Sequence, residues 1–118
     1  MPDLNYESEG LKADFEEIAK FWVDKGVDGF RVDAVKHIVP SSPDANNAII
    51  NWIYKYCKQF NPDFYMVSEV FDSLFVFTEY YKSLTPSIFN FDAGQQTGVL
   101  LKAAKDYMSS SDFVDKMI

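Results

Sequence analysis

Gly29-Phe30-Arg31-Val32-Asp33-Ala34-Val35-Lys36-His37 is the stretch on which the fold turns. Phe30, Val32 and Ala34 alternate with Gly29, Arg31 and Asp33, which is the period of a strand. The pattern predicts a strand over about 28–34 with one apolar face. The other face carries an arginine and a carboxylate two residues apart. Burying charge is costly unless the charge is paired or used. A structural Arg31–Asp33 ion pair is the plain reading of that face and a working site is the other, and the flanking chain decides between them.

Upstream, residues 1–7 read as an extended loop, and Pro2 turns Met1 away from helix. Ser8 is a capping residue and Glu9 suits a first turn. Leu11, Phe15, Ile18 and Trp22 then recur at helical spacing, and Gly26 is placed to terminate. This predicts a helix over about 9–25. Downstream, Val39–Asp44 is a loop with two prolines and two serines. Ser42-Pro43 starts a second helix over about 44–60 through Ile49, Ile53, Tyr56 and Phe60, and Asn61-Pro62 stops it.

Phe64–Val70 reads as a second strand, with Tyr65, Val67 and Glu69 on one face and Phe64, Met66 and Ser68 on the other. A shorter helix over about 73–83, a third strand over about 87–91 and a last helix over about 95–108 follow. Ser109-Ser110-Ser111 closes that helix, and the final residues begin another turn. Strands joined by crossover helices run parallel. The 36 residues from Asp33 to Glu69 are close to the repeat of a (β/α)8 barrel.

Composition narrows the functions. With 118 residues, 47% hydrophobic and 25% charged, the chain is globular. A formal charge of −7 argues against nucleic acid, whose phosphates need Lys and Arg. No apolar run has the length of a membrane span. The single Cys57 rules out an internal disulfide and reads as a small buried hydrophobe. Aromatic residues reach 17%, which suits a Phe-rich core and also suits sugar platforms.

Two acids stand in comparable places, Asp33 near the C-terminal end of one strand and Glu69 near the end of the next. Neighbouring strands lie about 4.8 Å apart. Carboxyls there would be separated by roughly 5–5.5 Å, the spacing of a retaining glycosidase. Arg31, two residues before Asp33 on the same face, favours an ionised carboxylate, which makes Asp33 the better nucleophile. Glu69 has no basic sequence neighbour and lies between Val67 and Val70, which makes it the better general acid/base.

At these residues the sequence resembles the α-amylase family of glycoside hydrolases. Gly29 to His37 matches that family's nucleophile motif along its whole length, and Ser68-Glu69-Val70 matches its acid/base motif. Met1-Pro2-Asp3-Leu4-Asn5 is similar to a further motif in the loop after barrel strand three, in the form found in the neopullulanase, cyclomaltodextrinase and bacterial α-amylase branches. The resemblance implies a retaining enzyme acting on α-1,4 or α-1,6 bonds of α-glucans or maltooligosaccharides. It implies Asp33 as nucleophile, Arg31 as the arginine that orients it and Glu69 as general acid/base. Lys36 and His37 match positions on the leaving-group side of the cleft. In calcium-dependent members, Asp3 and the His37 backbone carbonyl match metal ligands, so the resemblance allows a structural calcium ion whose other ligands belong to segments this chain lacks, while the chemistry needs no cofactor. Tyr6, Phe71 and Asp72 are placed to touch sugar, and ordinary packing and capping explain them as well.

A full barrel needs about 250 residues. The resemblance therefore implies an α/β fragment running from helix three to helix six, with three parallel strands and 1–118 as one partial catalytic domain. Met1 itself falls within a family motif, so the chain reads as a piece of a longer product. The family's third acid, after strand seven, has no counterpart, and Asp92 does not sit in the expected histidine–aspartate pair. The isolated piece is expected to be inactive. Two other readings stand beside this one. A catalytically silent relative would act as a binding or scaffold module, and a small independent three-stranded domain would use Arg31 and Asp33 only as an ion pair. Transfer to a sugar acceptor in place of water would use the same acids.

Overall fold

Phe30 and Met66 set the sheet against its helices. The computed structural model describes residues 4–95 and 98–117. β1 (Gly29–Val32), β2 (Tyr65–Ser68) and β3 (Ser87–Ile88) form one parallel sheet in the order β1-β2-β3. Gly29 pairs with Tyr65, Phe30 with Met66, Arg31 with Val67 and Val32 with Ser68. The expected alternation holds, since Met66 and Ser68 are buried while Arg31 and Tyr65 lie exposed on the opposite face. The Phe30 and Phe64 rings meet edge to face at 5.0 Å, and Ala19, Ile50, Cys57 and Val35 complete the core beneath them. Burial pushes the Cys57 thiol up to about 11, in keeping with an inert buried hydrophobe.

Helix α1 (Glu9–Asp24) begins where Ser8 Oγ accepts the Leu11 amide at 3.4 Å, and Gly26 follows it in the left-handed region at φ 88°. Helix α2 (Pro43–Lys58) begins on Pro43. Trp52 Nε1 donates to Glu16 Oε1 at 2.8 Å and ties the two helices. α2 also carries asparagines that hold the loops. The Asn46 Oδ1 accepts the Val39 amide at 2.7 Å while its Nδ2 donates to the Tyr80 hydroxyl at 3.2 Å. Asn47 Nδ2 donates to the Glu79 carbonyl at 3.0 Å, and Asn51 Oδ1 accepts the Leu84 amide at 2.6 Å. These bonds satisfy backbone groups that α2 would otherwise bury unpaired.

The segments after β2 depart from the sequence reading. The expected helix over 73–83 is α3 (Leu74–Thr78) continued by a 3-10 turn at Glu79–Lys82. The third strand stops at Ile88, because Asn90 Oδ1 accepts the Ala93 amide at 3.1 Å and starts α4 (Phe91–Gly94). In place of one last helix over 95–108 there is α5 (Val99–Ala104), ended by Asp106 at φ 56°. Ser109 starts a further helix, α6 (Ser110–Met117), its Oγ accepting the Asp112 amide at 3.1 Å.

Among the described residues, helices cover one face of the sheet. The radius of gyration is 17.1 Å, against about 13–14 Å for a compact chain of this length. Ile18 and Trp22, expected on the buried face of α1, are 55% and 48% exposed. They line an apolar groove of about 320 Å³ between α1 and α2, with Phe30, Ile49, Ile53 and Met66. β1 has a ladder partner on one side and this groove beside it.

Gly29 is fixed by close approach. A Cβ there would lie 2.4 Å from the Tyr65 carbonyl oxygen, inside the β1–β2 ladder. Gly29→Ala is expected to destabilise the fold by about 1–3 kcal/mol, the usual cost of overpacking. Urea unfolding followed by circular dichroism measures it, and an unchanged midpoint would mean that the ladder yields without cost.

Candidate active site

β1 and β2 end level with each other, and Asp33 and Glu69 are the first residues beyond them. The last ladder bonds wrap one acid around the other strand. The Glu69 amide donates to the Val32 carbonyl at 2.9 Å, and the Val35 amide donates to the Glu69 carbonyl at 2.9 Å. Both acids therefore sit on backbone that the sheet has already fixed, and their side chains leave on the face away from the helices.

Arg31 joins them. Its Nη1 lies 2.7 Å from Asp33 Oδ1 and its Nη2 lies 2.7 Å from Glu69 Oε1. The register makes this possible, because Arg31 stands opposite Val67 and two residues before Asp33 on the same face. The expectation that Glu69 lacks a cationic neighbour holds along the chain but fails in space. The two acids differ in surroundings, the Glu69 side chain being 19% exposed and the Asp33 side chain 72%. Hydrogen bonding with the Glu69 side chain, and then the Arg31 guanidinium, hold the Asp33 carboxyl below the usual carboxylate value.

Ala34 turns the chain sharply after Asp33. Its backbone is left-handed at φ 47° and ψ 43°, and its amide donates to Glu69 Oε2 at 3.3 Å. A 3-10 turn over Val35–His37 follows, anchored by the fully buried Val35. It presents Lys36 and His37. Lys36 Nζ pairs with Asp72 Oδ2 at 2.8 Å, and Asp72 Oδ1 accepts the Ser73 amide at 2.7 Å. Lys36 is the main cause that keeps the Asp72 carboxyl low. Lys36, His37 and Asp72 border one depression with Pro40, Ser42 and Tyr80. The structure thus brings Arg31, Asp33 and Glu69 into one cluster, with Lys36 and His37 beside it on the same loop.

Other sequence candidates are placed differently. Tyr6 packs on Phe15 with ring centres 6.0 Å apart, and burial raises its hydroxyl. Phe71 meets Phe91 at 5.1 Å and Phe91 meets Phe89 at 5.8 Å, an aromatic row across the rims of β2 and β3. Asp92 lies in the first turn of α4. Asp3 lies outside the described residues. Among the described residues no group of three or more His, Cys, Asp or Glu side chains converges on a metal position. The sequence reading missed Ala34 and the second contact of Arg31. For the latter a signal existed, because level acids on parallel strands place an arginine two residues back within reach of both.

The sign of the Asp33 shift sets a pH dependence. A carboxyl whose folded value is depressed stabilises the fold above its usual pKa, and that contribution is lost as pH falls through the folded value. Arg31→Gln is expected to raise the Asp33 titration towards the ordinary value near 3.9. Carbon-13 NMR of the side-chain carboxyl reads it. The rise should be partial, since the contact with Glu69 remains. An unmoved titration would assign the whole effect to Glu69.

Comparison with known proteins agrees with this geometry. The family profile described as "Alpha amylase, catalytic domain" matches residues 1–110. "Alpha-amylase 3" of Dictyoglomus thermophilum is 48% identical over 94 residues, covering 77% of this chain and 18% of that protein. "Probable oligo-1,6-glucosidase 3" of Bacillus subtilis is 30% identical over 122 residues, covering 99% of this chain and 20% of that protein. The chain thus spans about a fifth of the length of these relatives. The solved structure titled "Eubacterium rectale Amy13B" superposes with a TM-score of 0.83 at 36% identity, over 90% of this chain and 21% of the other. The three parallel strands and their helices are a section of a (β/α)8 barrel, and the chain belongs to the α-amylase family, within its catalytic domain.

Proposed function

We propose that these residues supply the nucleophile and the general acid/base of a retaining α-glucan-cleaving barrel, acting on α-1,4 or α-1,6 glucosidic bonds. The observation that carries the reading is the Arg31 guanidinium held between Asp33 and Glu69 at the ends of adjacent parallel strands. The depressed, exposed Asp33 carboxylate attacks the anomeric carbon, and the glycosidic bond breaks as Glu69 gives its proton to the departing oxygen. Glu69 then takes a proton from water, whose oxygen attacks the same carbon and releases Asp33. A sugar hydroxyl in place of water gives transfer by the same two acids. Two inversions return the anomeric configuration of the substrate. Arg31 keeps the Asp33 carboxylate charged and oriented, and Lys36 and His37 face the leaving-group side.

The substrate class follows from the relatives, whose names specify an alpha-amylase and an oligo-1,6-glucosidase. A neutral glucan also suits a chain of charge −7 better than a polyanion would. A structural calcium ion would be held in part by Asp3 and the His37 carbonyl, and no chemical step passes through it. Asp33 and Glu69 are both present, which weighs against a silent binding module.

In the complete barrel polypeptide, Asp33→Asn is expected to lower glucan turnover by roughly a thousandfold or more, because no nucleophile remains. Proton NMR of the first product should show the α-anomer with the wild type. Retained turnover in the variant, or a β-anomer product, would remove Asp33 from this role. The 118 residues alone are expected to release no reducing sugar from starch, since three strands leave the cleft without its other walls. Measurable release by that polypeptide would refute the need for the rest of the barrel.

A further inference from the structure

The left-handed turn at Ala34 has a cost that its packing does not explain. A non-glycine residue at φ 47° and ψ 43° is disfavoured by the clash of its Cβ with the following carbonyl. Such conformations persist where surrounding structure holds them, and they gather at functional sites. Here the neighbours on both sides are fixed. Val32 accepts the Glu69 amide, and the buried Val35 donates to the Glu69 carbonyl, both at 2.9 Å. Between these bonds the left-handed residue aims its own amide at Glu69 Oε2, at 3.3 Å. Arg31 Nη2 occupies the other oxygen, Oε1, at 2.7 Å. The Glu69 carboxyl is thus held from two directions by groups of the neighbouring strand.

We propose that Ala34 is a positioning residue for Glu69: its left-handed backbone directs an amide that fixes the rotamer from which Glu69 delivers its proton. The inference rests on Glu69 being the general acid of the proposed reaction. It goes further in assigning part of that acid's alignment to a backbone donor on the nucleophile's loop. The same turn that places Asp33 then also aims Glu69, so the two reacting groups are set by one backbone conformation. A small side chain suits position 34, because a β-branched residue is a genuine outlier at positive φ.

The test separates alignment of the acid from general structure. In the complete barrel polypeptide, Ala34 is replaced by lactic acid, which keeps the methyl group and puts an ester oxygen in place of the amide N–H. Rates are compared on a maltooligosaccharide, whose leaving oxygen needs a proton, and on the matching α-glycosyl fluoride, whose leaving group needs none. Turnover of the maltooligosaccharide is expected to fall about tenfold with KM little changed, a fraction of the 10²–10⁴ that general acid–base catalysis contributes. The fluoride rate should stay within about twofold. Ala34→Gly, which keeps the amide and accepts positive φ, should leave both rates within about twofold. Should the ester chain not fold, the Ala34 amide proton is compared by NMR between the wild type and Glu69→Ala: an upfield shift on loss of the acceptor is expected, and an unmoved resonance overturns the proposal. Equal loss on both substrates, or no loss on either, overturns the proposal. Wild-type protein that cleaves neither substrate would instead overturn the glycosidase reading on which it rests.

Discussion

The site depends on one guanidinium set between two carboxylates. Placing two acids at the ends of adjacent strands brings like charges together, and like charges at close range oppose ionisation of both. Arg31 resolves this because its planar group offers separate donors to each acid at 2.7 Å. A lysine would offer a single point charge and could not span the pair in the same way. The arginine reaches both acids because the parallel register puts it level with Val67, on the face that the helices leave free. Backbone pairing therefore comes first, the bridge second, and the difference between the acids third. The exposed Asp33 is charged beside the cation, while the more enclosed Glu69 has donors on both oxygens.

The same register divides the sheet into a buried and an exposed face. The helix-facing residues of β2 reach a core made with α1 and α2, and Phe64, Met66 and Val70 are buried in it. The opposite face carries Arg31, Tyr65 and Val67 and, among the described residues, meets no second layer. In a closed barrel that face is the interior, packed by side chains from the other strands. The apolar groove beside β1 lies on the helix side of this sheet, lined by Phe30 and Met66 with α1 and α2 residues. The charged cluster stays in place regardless, because its geometry is set by bonds between β1 and β2 alone.

How far the sequence could be read follows from the range of the forces involved. α1 was legible because Ser8, the apolar periodicity and Gly26 all act within a turn of where they stand. β1 and β2 were legible from alternation, although both are shorter than the pattern, since pairing stops where the chain turns at Ala34 and beyond Glu69. The C-terminal third was misread through two caps. Asn90 and Ser109 each begin a helix, although the sequence pattern places one in a strand end and the other in a terminator. The polar face of α2 was passed over because Asn46, Asn47 and Asn51 look like solvated positions until the loops they hold are in view. Asp33 and Glu69 were found from strand ends and motif, but the bond from Arg31 to Glu69 spans the sheet, and only the register reveals it.

What ties the chemistry to the fold is that two loops behave as one piece. The loop after β1 and the loop after β2 are joined by the Ala34 and Val35 amides on Glu69, by Lys36 on Asp72, and by Asn46 between Val39 and Tyr80. These links run in order from the sheet outward. Movement of Lys36 would pull on a turn that already holds Ala34 left-handed, and through it on the carboxyl of Glu69. Four residues in succession, Asp33 to Lys36, thus carry a carboxylate held by Arg31, an amide on Glu69, a buried anchor and a cation paired with Asp72.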